Sequence, residues 1–136
     1  MKTKLIITIL ITAFVSAALI GGCATGPVEI EEVVTCKNVD SEYMPVEPTT
    51  VFPSGTNVIY VSVKIKNMTT EDKITTKWNY LETGQEVNTT DFTTDTPGSG
   101  YIGFSLTTED AFPSGRYNAV VYLNGEEVKT VEFSVE

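Results

Sequence analysis

Between Asn57 and Asn67 the chain alternates strictly. Ile59, Val61, Val63 and Ile65 take the odd positions, and Tyr60, Ser62, Lys64 and Lys66 the even ones. Successive side chains of a strand point to opposite faces, so this run has one apolar and one wet face. The pattern recurs downstream. Ile74, Thr76, Trp78 and Tyr80 share a face in Ile74–Leu81, with Thr75, Lys77 and Asn79 on the other. In Tyr101–Thr107, Ile102, Phe104 and Leu106 point inward, and Arg116–Leu123 aligns Tyr117, Ala119, Val121 and Leu123. Glu126–Val135 turns Val131, Phe133 and Val135 inward. Glu31–Val39 and the threonine-rich Glu86–Phe92 are weaker candidates. Beyond residue 23 no helical period interrupts these strands.

Turn residues separate them. Met68–Asp72, Glu82-Thr83-Gly84-Gln85 and Pro97-Gly98-Ser99-Gly100 break the chain, and Thr108–Gly115 crosses over. Asn124-Gly125 is the strongest hairpin signal, since both central residues of a type I′ turn need positive φ. Pro45, Pro48 and Pro53 make Tyr43–Pro53 a loop or an edge strand with few ladder bonds. Phe52-Pro53-Ser54-Gly55 and Phe112-Pro113-Ser114-Gly115 are identical and each precedes a strong strand. They read as one local solution used twice, a bend with a phenylalanine tucked under the end of the fold. Seven to eight short strands without helices between them predict an all-β antiparallel sandwich over residues 30–136.

The N-terminus has another logic. Lys2 and Lys4 precede an uncharged apolar run, Leu5 to Ile20, which falls short of the roughly 20 residues that span a bilayer. A basic start, a short apolar core and small residues describe an export signal, expected as a helix and removed from the finished protein. Leu19-Ile20-Gly21-Gly22-Cys23 resembles the lipobox of prokaryotic lipoproteins. That resemblance implies cleavage before Cys23 and a diacylglycerol on its sulfur, with residues 1–22 as signal peptide and 23–29 as a tether. The alternatives are a plain signal peptide or an uncleaved anchor, with Cys23 incidental. Cleavage takes 22 residues off 136 and leaves 114, and loss of both lysines moves the charge from −9 to −11. Acylation by two or more chains would hold the domain stably at a membrane.

Cys36 is then without a covalent partner, since pairing with Cys23 requires an unlipidated Cys23. Its neighbours, mostly acidic, do not lower a thiol pKa, so it reads as a small half-buried side chain.

From about Asn57 to Val135 the chain resembles the immunoglobulin-like sandwich family. Trp78 follows the alternating strand, and Gly115-Arg116-Tyr117-Asn118-Ala119 is similar to that family's tyrosine corner. Ala119 stands where the family often has its second cysteine, so the resemblance is to members without the inter-sheet disulfide, such as fibronectin type III modules. Pro113 stands where an acidic residue often precedes the corner.

The absence of histidine excludes a Ser-His-Asp triad, a Cys-His dyad and histidine metal sites. One arginine and a net charge of −9 argue against a nucleic-acid partner, which demands a basic face. Asp91 with Asp95, or Glu109 with Asp110, are the carboxylate pairs open to glycoside hydrolysis or calcium binding. They lie in threonine-rich or turn regions where acidic residues serve solubility. No catalytic residue, metal or cofactor is therefore expected. Tyr60, Tyr122 and Tyr101 point away from the predicted core and form a candidate ligand face, against the plainer reading of strand propensity. Asn67-Met68-Thr69 and Asn88-Thr89-Thr90 fit the N-glycosylation pattern, at a frequency close to chance in so threonine-rich a chain.

These features lead to the expectation of a non-catalytic, lipid-anchored, extracytoplasmic domain that binds an envelope protein or polysaccharide. The alternative is a structural or assembly subunit of an envelope complex that pairs strand edges, with a hydrolase as a remote third.

Overall fold

The computed structural model describes residues 11–21 and 26–136. Ten strands follow one another in the described residues: β1 Ile11–Gly21, β2 Glu29–Val39, β3 Pro45–Pro48, β4 Val51–Phe52 and β5 Val58–Met68. They continue as β6 Ile74–Tyr80, β7 Gln85–Phe92, β8 Gly98–Thr108, β9 Gly115–Leu123 and β10 Glu126–Val135. They form two five-stranded sheets, ordered β1-β8-β5-β2-β3 and β4-β10-β9-β6-β7. Pairing is antiparallel throughout, apart from the two-residue parallel contact of β4 with β10. The chain is all-β in two sheets. Among the described residues, no helix is long and apolar enough to cross a membrane.

The alternation seen in the sequence sets the core. Ile59, Val61, Val63 and Ile65 from β5 are buried, as are Ile102, Phe104 and Leu106 from β8. The second sheet contributes Ile74, Trp78, Tyr117, Ala119, Val121 and Phe133. Phe133 is the aromatic hub. Its ring stacks on Tyr117 at 5.3 Å and meets Phe52 and Trp78 edge-on at 5.7 and 6.2 Å. The two Phe-Pro-Ser-Gly copies behave alike: Phe52 lies against Phe133, and Phe112 against Tyr117 at 6.3 Å. Both phenylalanines are buried.

Hydrogen bonds fix the ends. The Tyr117 hydroxyl donates to the Pro113 carbonyl at 2.6 Å, and the Tyr80 hydroxyl to that of Ser114 at 2.6 Å. Burial therefore raises the Tyr117 phenol well above its usual range, with the Tyr80 charge adding to it. At the other end, the Asp72 carboxylate accepts from the Thr69 backbone N–H (2.8 Å), the Thr69 hydroxyl (2.9 Å) and the Asn124 side-chain amide (3.0 Å). Burial alone would raise its pKa, but these three bonds outweigh burial and hold it below the usual value. Asn124 sits at φ 53° and accepts from the Lys73 N–H, so the hairpin turn is clasped to the turn before β6.

Several expectations need correction. The helix expected for the apolar leader is not present in its described part, because Ile11–Gly21 is a strand. A helix satisfies its backbone internally, as lipid demands. An open sheet edge offers the same satisfaction in water, and Ile11, Thr12, Val15 and Ile20 suit it. Pro97–Gly100 was expected to be a break, yet Gly98, Ser99 and Gly100 belong to β8. The proline segment supplies two short edge strands, β3 and β4, which brings the strands to ten among the described residues.

Candidate functional site at the β8 edge

The most unusual feature of the fold is the junction of β1 and β8. It runs for 11 consecutive pairs, from Ile11 opposite Thr108 to Gly21 opposite Gly98, without a register shift. On the inward face Ile11, Ala13, Val15, Ala17 and Leu19 pack against the core while remaining only half-buried. Phe14 and Ile20 point outward, 62% and 77% exposed. The backbones approach closely at one end. A Cβ on Gly98 would overlap the Ile20 carbonyl oxygen, and one on Gly100 the Ala18 carbonyl oxygen. Glycine is thus required at both positions for a neighbouring strand to sit where β1 sits.

The outer face of this sheet is partly covered by residues 40–44. The Asp40 carboxylate accepts the backbone N–H groups of Glu42 and Met44 at 2.8 and 3.0 Å, and Ser62 donates to the Tyr43 carbonyl at 2.7 Å. This turn lays the Tyr43 ring over Gly103, where an added Cβ would lie 2.9 Å from Cδ1. A shallow cleft flanks Tyr43 on each side. One, of about 290 Å³, is bounded by Phe14, Ser16, Tyr60, Ser105 and Thr107. The other, of about 300 Å³, is bounded by Ala18, Ile20, Glu42, Met44 and Tyr101. Each has β1 as one wall.

Tyr60 and Tyr101 therefore share the outer face of the first sheet, one beside each cleft, and are half-buried. Tyr122 is elsewhere, on β9 of the second sheet opposite Thr75 and Glu127. The three tyrosines do not form one surface. Cys36 is fully buried on β2, and burial raises its thiol pKa against hydrogen bonds with the backbone of Val46 and Asn38 that pull the other way. Its thiol is free but sealed off.

Asn67 adopts φ 59° and its amide donates to the Pro27 carbonyl at 3.2 Å. Asn88 lies within β7, its amide 3.5 Å from the Ile11 carbonyl. Cys23, with Gly22, Ala24 and Thr25, lies outside the described residues, as do Lys2 and Lys4.

The carboxylate pairs lie on exposed positions. Asp91 accepts from the Thr75 hydroxyl at 2.8 Å on the exposed face of β7, and Asp95, Glu109 and Asp110 are exposed. Among the described residues no three His, Cys, Asp or Glu side chains gather as metal ligands. The sequence reading missed the Tyr43 cover and the Asp72–Asn124 clasp. Thr69-x-x-Asp72 was the available signal for the latter, a side chain capping its own turn.

No family model matches this chain, and no curated protein matches it. Among solved structures it is similar to a Pseudomonas fluorescens alkylpurine DNA glycosylase, AlkC, bound to DNA containing an abasic site analog. Identity is 16% and the TM-score 0.46, over 85% of this chain and 31% of that one. That protein is an enzyme on DNA, and three sequence expectations are withdrawn against it. They are the non-catalytic envelope binder with its assembly-subunit and hydrolase alternatives, the exclusion of enzymatic activity, and the partner assignment that excluded nucleic acid. The exclusions rested on residue counts in one module, and this chain spans about a third of the matched protein's length. A likeness this distant transfers neither glycosylase activity nor DNA to this chain.

Proposed function

We propose that this chain is the precursor of an exported lipoprotein, in which Ile11–Gly21 belongs to a removable leader, Cys23 receives the lipid and an immunoglobulin-like sandwich is held on the extracytoplasmic side of a membrane. The observation that carries the reading is where the core lies. Among the described residues, every buried apolar side chain sits between Cys36 and Val135, while β1 contributes only half-buried ones. The leader can depart without taking a fully buried apolar side chain with it, as a processed precursor requires. The uncharged run ending in Leu19-Ile20-Gly21-Gly22-Cys23 supplies the matching signal.

The immunoglobulin-like class is favoured by the corner geometry. Tyr117 near the start of β9 bonds back to the backbone four residues upstream, and Trp78 lies across from Ala119. Cys36 is sealed in the first sheet, which leaves Cys23 as the thiol for acylation.

Expression of the full chain in a lipoprotein-processing bacterium, followed by mass spectrometry of the N-terminal peptide, tests this. The expected result is a chain beginning at Cys23, carrying diacylglycerol and found in the membrane fraction, with Cys23→Ser abolishing both cleavage and lipid. A membrane-free chain that retains residues 1–22 would overturn it.

A further inference from the structure

We propose that the β8 edge, once Ile11–Gly21 has left it, pairs antiparallel with the β8 edge of a second copy of this chain. The other edges are blunted in the ways natural sheets use. β3 carries Pro45 and Pro48, β4 is two residues long, and β7 carries Glu86 and Asp91 and pairs irregularly with β6. β8 has none of these devices on its β1 side. Over Gly98–Thr108 it carries no charge and no proline, and it takes β1 in unbroken register. With β1 present that side is closed, since β1 also lies along β7 of the second sheet. Without it, an edge 11 residues long, whose alternate residues present unpaired N–H and C=O groups, and the flank of Ile102, Phe104 and Leu106 face water.

A second β8 reproduces what β1 supplies. In β1, Leu19 stands opposite Gly100, Val15 opposite Phe104 and Ala13 opposite Leu106. When β8 is centred on Gly103 and paired with its own copy, Leu106 stands opposite Gly100, Ile102 opposite Phe104 and Gly100 opposite Leu106. Leu106 again stands against a small partner at Gly100, while Ile102 and Phe104, which face Ala17 and Val15 of β1, face each other. The close approach that Gly98 and Gly100 permit is kept, with Thr107 and Ser105 of the second copy in the places of Ile20 and Ala18. The arrangement is isologous, so two copies close the assembly and no open fibre results. Both partners carry a large negative charge, and an uncharged edge is where two such copies can meet.

The proposal rests on the export reading only for what vacates the edge. The mass of the folded chain tests the edge itself, so a failure of processing and a failure of pairing are read separately. The full chain, sized by sedimentation in water-soluble form, is expected to be a monomer because β1 fills its own edge. The variant Val15→Asp with Leu19→Asp puts two carboxylates on the inward face of β1 and ejects it, and is expected to sediment as a dimer. Adding Gly98→Val and Gly100→Val to that variant should return it to a monomer while Trp78 keeps its native emission. The proposal is overturned by a Val15→Asp, Leu19→Asp chain that stays monomeric with native Trp78 emission. A dimer that survives the two valines, or a dimeric unaltered chain, overturns it as well. Loss of native Trp78 emission on ejecting β1 also overturns it, because the sandwich must outlast the leader.

Discussion

Replacing Phe133 with alanine removes the buried side chain on which Phe52, Trp78 and Tyr117 of the second sheet converge. The ring is 2% exposed, stacked on Tyr117 at 5.3 Å and met edge-on by Phe52 and Trp78. Loss of a buried phenylalanine with partial collapse of the space costs about 3–5 kcal/mol. Domains of this size are stable by about 5–15 kcal/mol in all, so the change consumes a large share. Phe133→Leu keeps most of the buried area and loses the three ring contacts, which points to a smaller cost of about 1–3 kcal/mol. The assay is urea unfolding followed through Trp78, the one tryptophan, whose ring lies 6.2 Å from Phe133. Both variants should lower the midpoint with the slope unchanged, alanine by roughly twice as much as leucine or more. A loss below about 1 kcal/mol in Phe133→Ala would refute the buried aromatic packing described here. Phe14→Ala, at a side chain 62% exposed on β1, is the control and should move the midpoint little.

Three further outcomes follow from individual residues. The hydroxyl of Thr76 is buried in the core face with no hydrogen-bond partner among the described residues, so Thr76→Val should stabilise by about 1 kcal/mol in the same urea assay. Gly115 sits at φ 140°, and a Cβ there would lie 2.7 Å from Glu82 Cγ and 2.9 Å from Tyr80 Cε1. Gly115→Ala should therefore lower stability by about 2 kcal/mol, and a neutral result would show that the corner is looser than described. The Asp72 carboxyl is held below its usual pKa in the folded chain, so its contribution is present above the unfolded value near 4 and is lost as the pH falls through the folded value. Asp72→Asn should consequently flatten the fall in melting temperature below about pH 4, and an unchanged acid profile would remove Asp72 from the clasp.

Period-two burial carried most of the sandwich into plain view in the sequence. β5, β6, β9 and β10 lie within a residue or so of their predicted limits, and the inward faces predicted for β5, β6 and the centre of β9 are the buried ones. Tyr117 was singled out by the resemblance to immunoglobulin-like sandwiches, whereas the Asn124-Gly125 turn was legible because both residues take the positive φ that few residues adopt. The glycines of β8 misled for the same reason. Glycine ordinarily marks a bend, but Gly98 and Gly100 are there to let β1 approach, a requirement visible only when the second strand is in place. Ile11–Gly21 was illegible as a strand because apolar composition suits a membrane helix and a sheet edge equally. The partner that decides between them, β8, lies some 80 residues along the chain. The tyrosines show the limit of alternation: it sorts Tyr60, Tyr101 and Tyr122 to outer faces but cannot say that Tyr122 is on the other sheet.

Amide hydrogen exchange of the full chain, read peptide by peptide, is the most direct measurement of whether Ile11–Gly21, the proposed leader, is also a strand. If Ile11–Gly21 lies on β8, its ladder amides should exchange far more slowly than an unstructured segment of the same sequence. In the Gly98→Val, Gly100→Val chain that protection should vanish, while β5 and β9 stay protected. Exchange over residues 11–21 at the unstructured rate in the unaltered chain, with β5 and β9 protected, would contradict the account.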